Sequence, residues 1–266
     1  MRRLRRLIQK RSLRWSEGVC VLEGPDLVEA ALRAGTEFEA IYVDTTSATS
    51  PPVAALLANA EWAGIRVFGL NREVLAQIAD AKTPQPVAAV VRLPLSELSA
   101  VKVTSLVLVL HDLRDPGNVG TIIRSADAAG VEAVVLTGQS VDPFNPKTLR
   151  ATAGSVFHVP VVVCSLDEAF AHFAGRGARI LASVVHGGAA LRDVDFSGPT
   201  VVVIGNEAEG LDVEVIERCD AALSIPMVGR GESLNAGVAA SLVAFEALWQ
   251  RRGADEGRPR PSLEGS

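Results

Sequence analysis

Cysteine is scarce in this chain. Cys20, Cys164 and Cys219 are its three cysteines; they lie far apart and form no CxxC pair. That spacing excludes a disulfide framework and a thiolate zinc site, and it reads as small buried residues in a reducing compartment. The four histidines have no metal-like spacing, so they are assigned to packing or surface and no structural metal is expected. Long apolar runs are missing as well: LVLVL and TVVVIG are far too short to span a bilayer. The basic start MRRLRRLIQKRSLR is followed by no apolar h-region, so no signal peptide is expected. These absences together predict a soluble cytoplasmic protein.

Several site fingerprints are also absent. No GxGxxG opens the first strand–helix unit of either half, which argues against a dinucleotide site, an ordinary Rossmann methyltransferase and a nucleotide-dependent oxidoreductase. GNEAEGLD has the glycine spacing of a phosphate loop, but Leu-Asp follows in place of Lys-Ser/Thr, and its two glutamates would repel phosphate. No GxSxG occurs, so Ser233 has no nucleophile-elbow context.

What is present is a chain of 266 residues, 48% hydrophobic, enough for one large domain or two modest ones. Its net charge of −5 is unevenly spread. Seven of the 26 basic side chains (Arg2, Arg3, Arg5, Arg6, Lys10, Arg11, Arg14) and none of the 31 acidic ones fall in the first 14 residues, which leaves a body with a net of −12. A basic arm on an acidic body suits a polyanion such as nucleic acid; a solubilising or membrane-surface arm is the alternative.

Two blocks alternate strands with helices. The first, Val19 to Arg92, has strand candidates GVCVL, AIYVD, IRVF and VAAVV, with helices at PDLVEAALRAG and VAALLANAEWAG. Leu93 to Ser105 loses that rhythm and reads as a linker. The second block runs from Leu106 to about Arg251, with strands LVLVL, VEAVVL, HVPVVV, RILASVV, TVVVIG and AALSI. These are continuous apolar runs, the mark of parallel strands covered on both faces. Helices are expected at 117–129, 166–174, 213–217 and 234–251. The first residues and the tail GADEGRPRPSLEGS are expected to be unfolded.

Three loops rich in glycine and polar residues follow strand ends in the second block. In the first, Asp115-Pro116 is a helix start and Gly130 a helix stop. Ile122, Ile123, Ala126 and Ala129 can face the sheet, which leaves Asn118, Thr121 and Arg124 as a polar stripe. The stripe begins where open α/β sheets place ligands, and a guanidinium suits phosphate or carboxylate. A solvated face with Arg124 paired to Asp127 is the plainer alternative. The other two loops carry Gly205, Asn206, Glu207 and Gly210, then Ile225, Met227, Ser233, Leu234 and Asn235. Glu207 and Ser233 suit a cationic, adenosine-bearing ligand whose base rests on backbone amides and on Ile225, Met227 and Leu234.

DPGNVGTIIRSADAAG, VVVIGNEAEGL and IPMVGRGESLNAGVAASLVAFEAL resemble, in order, the three motifs of the SpoU (TrmH-like) RNA ribose 2′-O-methyltransferases of the SPOUT superfamily. PKTLRATAGSVFHVPV resembles the family's segment between its first two motifs. VLEGPDLVEAAL resembles the start of a ribosomal-protein-L30-like substrate-binding domain. The plan is similar to the thiostrepton-resistance ribosomal RNA methyltransferases. Ser125 and Ala236 depart from the family's commonest Thr and Val, and both stay small.

The resemblance implies an α/β fold: a basic arm (1–18), an L30-like domain (19–93), a linker (94–105), a trefoil-knotted methyltransferase domain with a mostly parallel sheet (106–251) and a disordered tail (252–266). It further implies a homodimer, S-adenosyl-L-methionine as methyl donor and RNA as acceptor, ribosomal RNA ahead of transfer RNA; a non-catalytic RNA-binding factor of the same fold is the alternative. By position, Arg124, Asn118, Glu207, Ser233 and Asn235 fall on catalytic positions. Gly205, Asn206, Glu207, Gly210, Ile225, Met227, Ser233, Leu234 and Asn235 fall around the cofactor. Arg124, Lys147, Arg150 and the basic residues of the arm are the expected RNA contacts.

Overall fold

A computed structural model of the chain describes residues 2–77 and 85–255. The described residues divide into two compact units that do not follow chain order: 2–77, 85–95, 115–124 and 141–160 form the first, and 96–114, 125–140 and 161–255 the second.

The first unit carries a four-stranded mixed sheet, β1 (Val19–Glu23), β2 (Phe38–Asp44), β3 (Val67–Leu70) and β4 (Val87–Arg92), in the order β1-β4-β2-β3. β4 runs antiparallel to both neighbours and β2–β3 is parallel. These are the four strands that the apolar runs predict. Helices α3 (Pro25–Arg33) and α4 (Pro51–Trp62) begin with Pro in the first turn, where its missing N–H costs nothing.

The N-terminal residues differ from the expected unfolded arm. They form α1 (Arg2–Gln9) and α2 (Arg11–Glu17). Leu4, Leu7 and Ile8 recur at helical spacing and are buried against Val19, Val21, Ala88 and Val90. Burying three such side chains contributes about 1.5–3 kcal/mol each, enough to order a short helix that propensity alone would not. Arg14, expected to meet RNA, is instead 2% exposed. Its Nε and Nη2 donate to Asp142 Oδ2 at 2.8 and 2.5 Å, and Nη1 donates to the carbonyls of Leu7 and Ile8. Trp15 Nε1 and the Phe144 amide donate to Asp142 Oδ1. A buried guanidinium is tolerable only with its donors met in this way, so Arg14 leaves the set of RNA contacts.

In the second unit every strand pairing is parallel. Its strands are β5 (Leu106–His111), β6 (Ala133–Thr137), β7 (Val161–Val163), β8 (Arg179–Val184), β9 (Ala189–Ala190), β10 (Thr200–Ile204) and β11 (Ala221–Ser224), in the order β7-β6-β5-β10-β8-β11-β9. β6 and β10 are buried at every position, as continuous apolar runs require. Val101 and Val103 of the expected linker belong to this core.

Six further α-helices are among the described residues, four of them short. The short ones are α5 (Arg72–Ala76), α7 (Pro146–Thr152), α8 (Leu166–Ala174) and α9 (Val213–Glu217). α6 (Pro116–Ala129) passes from the first unit to the second, and α10 (Ala236–Asp255) is the last element. α10 extends four residues beyond Arg251 into the expected disordered tail; residues 256–266 lie outside the described residues.

Candidate active site

Parallel pairing puts the C-terminal ends of β5, β10, β8 and β11 on one edge of the sheet, so the loops that leave them share that edge. After β10 the chain doubles back on itself. Asn206 and Gly210 exchange backbone hydrogen bonds at 3.0 and 2.9 Å. The Asn206 side chain accepts from the Ala208 amide at 2.8 Å and donates to the Asp112 carbonyl at 2.8 Å, tying this loop to the one after β5. Gly205 allows the fold-back: a Cβ there would sit 2.4 Å from the Gly210 carbonyl group, while Gly210 itself takes the left-handed region at φ +75°.

The loop encloses one side of a cavity of about 300 Å³, a size used by small-ligand sites. Ser183–Val185 at the end of β8, the 204–211 loop, the segment after β11 and the first turn of α10 line it. Of the residues read from the sequence, Gly205, Asn206, Glu207, Gly210, Ile225, Met227, Ser233 and Leu234 are all there. Asn235 is not among the lining residues; its Oδ1 caps α10, accepting from the Gly237 and Val238 amides at 2.9 and 3.2 Å. Ser183, Val184 and Val185 at the end of β8 also line the cavity and were missed, although the His186-Gly187-Gly188 turn that follows is a signal of the same kind; Glu209 was missed within a loop already singled out.

The lining pairs apolar walls (Val184, Leu211, Ile225, Met227, Leu234) with two exposed glutamates, Glu207 and Glu209. An adenosine bearing a sulfonium fits that chemistry, base to the walls and positive charge toward the carboxylates. A phosphate-rich nucleotide does not. Glu207 Oε2 accepts from the Arg114 amide at 3.5 Å, a long contact.

Asn118 and Arg124 lie on α6. Asp115 Oδ1 accepts from the Asn118 amide at 2.8 Å, the expected N-cap, and Ile122, Ile123 and Ala126 are fully buried. Thr121 and Arg124 are exposed and Asn118 is half-buried, so the polar stripe exists as read. Lys147 is exposed near the start of α7. Arg150 donates to Glu23, a buried carboxylate, which makes it a structural partner before it is an RNA contact. Among the described residues, no group of three or more His, Cys, Asp or Glu could hold a metal ion, and no helix is long and apolar enough to cross a membrane.

The fold and this site define a methyltransferase of the SpoU rRNA methylase family, and the chain belongs to that family: residues 105–245 match its model. Residues 1–89 match the MRM3-like substrate binding domain. Among curated relatives, the 23S rRNA (guanosine(2553)-2′-O)-methyltransferase RlmP of Bacillus subtilis is 34% identical over 226 residues, 85% of this chain and 86% of that protein. Among solved structures, the SpoU methyltransferase AviRb from Streptomyces viridochromogenes, in complex with AdoMet, aligns with a TM-score of 0.87 at 29% identity, covering 94% of this chain and 97% of that one. The AdoMet-bound rRNA methyltransferase from Sinorhizobium meliloti aligns at 0.83 and 32%, covering 92% of each.

Proposed function

We propose that this protein transfers a methyl group from S-adenosyl-L-methionine to a ribose 2′-hydroxyl of ribosomal RNA in the cytoplasm. The observation that carries the reading is the cavity at the sheet's C-terminal edge, apolar-walled and carboxylate-lined, in a chain whose relatives are named as 23S rRNA 2′-O-methyltransferases. S-adenosyl-L-methionine supplies an electrophilic methyl already activated by its positive charge. Gly205, Asn206 and Gly210 would hold the loop against it, and Ile225, Met227 and Leu234 would cover the adenine.

Arg124 is assigned to the target nucleotide. A guanidinium stays protonated in proteins, so it does not serve as the base. It grips the phosphate beside the target ribose and stabilises the alkoxide that develops on the 2′-oxygen, while the proton leaves to phosphate or water. Asn118, six residues and nearly two turns earlier on the same polar stripe, helps orient it through the loop, and Glu207 and Ser233 position the two loops. The exposed arginines of α1 and Lys147 supply salt-sensitive RNA affinity. The two family matches support a division of labour between an RNA-binding N-terminal part and a catalytic C-terminal part.

The trefoil knot and the homodimer belong to the same reading. A homodimer is supported by α10, which presents Val238, Leu242 and Trp249 to solvent at spacings of four and seven, an apolar stripe on one helix face.

The test is methyl transfer from tritiated S-adenosyl-L-methionine to unmodified ribosomal RNA and to bulk transfer RNA. Label in ribosomal RNA at one alkali-resistant linkage, lost in Arg124→Ala with cofactor affinity unchanged, is the expected result. Label only in transfer RNA overturns the substrate. Cofactor bound but no label in either RNA favours the non-catalytic binding factor. A cofactor dissociation constant that rises in step with the rate loss would make Arg124 a cofactor residue.

A further inference from the structure

Among the described residues, no strand pairs with the outer edge of β3 in the four-stranded sheet. β3 is an outer strand, and Val67, Phe68 and Gly69 are all exposed. Register sets Phe68 opposite Tyr42 on β2, and their rings stack with centroids 5.6 Å apart and planes at 22°. Tyr42 packs on the apolar cluster beneath α1, so its ring is anchored from behind. Phe68 is 45% exposed, with its ring stacked on Tyr42.

Basic side chains stand near the start of this strand. Arg66, the residue before β3, precedes Phe68 by two residues, and its Nη2 donates to the Glu39 carbonyl at 3.3 Å. Arg3 of α1 holds the Glu39 carboxylate at 2.8 Å, which brings the start of α1 to the same strand end. Arg3 also pairs with Glu17, so its charge is compensated. Arg2, Arg5 and Arg6 stand exposed on the outer face of that helix.

A partly exposed, stacked aromatic together with exposed arginines on the neighbouring helix matches two features that occur together in one kind of ligand: a base with its π-face free and a chain of phosphates. A duplex hides its base faces in the stack and offers only the second. An acidic protein surface would use the arginines but leave the ring without purpose.

We propose that the Phe68–Tyr42 stack is a docking platform for one unpaired base of the RNA substrate, with Arg66 and the exposed arginines of α1 on the flanking phosphates. The proposal rests on the RNA reading above and adds which structural element of the RNA the first unit selects: a single-stranded loop or bulge.

The experiment measures binding of the full chain to a short single-stranded RNA of mixed sequence and to the duplex of the same sequence, across a salt series. Wild type is expected to prefer the single strand. Phe68→Ala should weaken single-strand binding roughly 5- to 150-fold and remove the preference, with the slope of log affinity against log salt unchanged, since no phosphate contact is lost. Phe68→Leu, which keeps apolar bulk without a π-face, should lose as much, and Phe68→Trp should retain affinity. A double Arg5→Ala, Arg6→Ala variant should instead flatten the salt slope. Trp62, 93% exposed on α4 beside Glu61, serves as the control, and Trp62→Ala should change nothing.

If Phe68→Ala and Phe68→Leu bind single strands as wild type does while wild type still methylates ribosomal RNA, the platform is overturned and the enzymatic reading stands. An equal loss in Trp62→Ala would overturn it too, by showing no selectivity for this ring. If wild type neither binds nor methylates RNA, both readings fall.

Discussion

In the seven-stranded sheet, β6 and β10 are buried at every position and every pairing is parallel; in the four-stranded sheet, β1 is equally buried while β3 is exposed from Val67 to Gly69. The larger sheet uses one edge, the row of strand C-termini, to hold a cavity closed by a folded-back loop. The smaller one uses a flank and a face, where arginine-bearing helices and a stacked aromatic pair meet solvent. One sheet is built to enclose a small molecule and the other to present a surface. Their stabilities should therefore depend on different things: the small unit on buried polar pairing, the large one on close backbone packing.

The largest effect is expected in the small unit. Asp142→Ala would leave the Arg14 guanidinium buried without its carboxylate, and urea unfolding of the full chain should show a loss of about 3–5 kcal/mol. Arg14→Met combined with Asp142→Leu should recover most of it. A loss in the single variant no larger than that of an exposed pair would mean the two helices are held by their leucines alone.

Next comes Gly205→Ala in the large unit. The added methyl meets the Gly210 carbonyl at 2.4 Å, so the loop must shift. The expected cost is about 1–3 kcal/mol, with S-adenosyl-L-methionine binding by calorimetry weakened in parallel. Intact cofactor binding in that variant would show that the fold-back does not shape the cavity.

A smaller, pH-dependent effect should mark the buried Asp44. The Ser47 hydroxyl, then the amide and hydroxyl of Thr46, donate to its carboxylate and hold its pKa below the ordinary 3.8, against the opposing cost of burial. A depressed folded pKa stabilises the native state above the unfolded value, and that contribution is lost as pH falls through the folded one. The stability difference between wild type and Asp44→Asn should hold steady at neutral pH and shrink below pH 3.8.

The smallest effect belongs to Arg218–Asp167 on the large unit. The pair is 2.7 Å long but solvent-exposed. Asp167→Asn should cost less than about 1 kcal/mol and nothing measurable at high salt.

The contrast also explains what could be read from the sequence. Continuous runs such as LVLVL and TVVVIG announced buried parallel strands, and two of the three polar loops, those after β10 and β11, announced most of the cavity lining. Asp115 and Gly130 marked both ends of α6 because caps are local chemistry. The small unit hid more. Leu4, Leu7 and Ile8 form a helical stripe, but the arginines between them drew the reading toward an unfolded arm. Asn145-Pro146, a start signal of the same kind as Asp115-Pro116, opens α7, where the Asn145 side chain accepts from the Lys147 amide. The pairing of Arg14 with Asp142 spans 128 residues, and no local pattern encodes it. Ser183–Val185 escaped because strand residues become cavity walls only once their neighbours in the sheet are known. The family resemblance, carried by the motifs themselves, supplied roles that periodicity could not.

The bond between Arg14 and Asp142 also bears on how such a chain can change over generations. The N-terminal segment matches one family model, yet the partner that its buried arginine requires sits inside the stretch that matches the other. A recombination event that exchanged only the first 89 residues for a relative's would strand one half of that pair unless the incoming segment brought its own Arg14. The two modules are separable as patterns of sequence, but they are inherited as one folding problem.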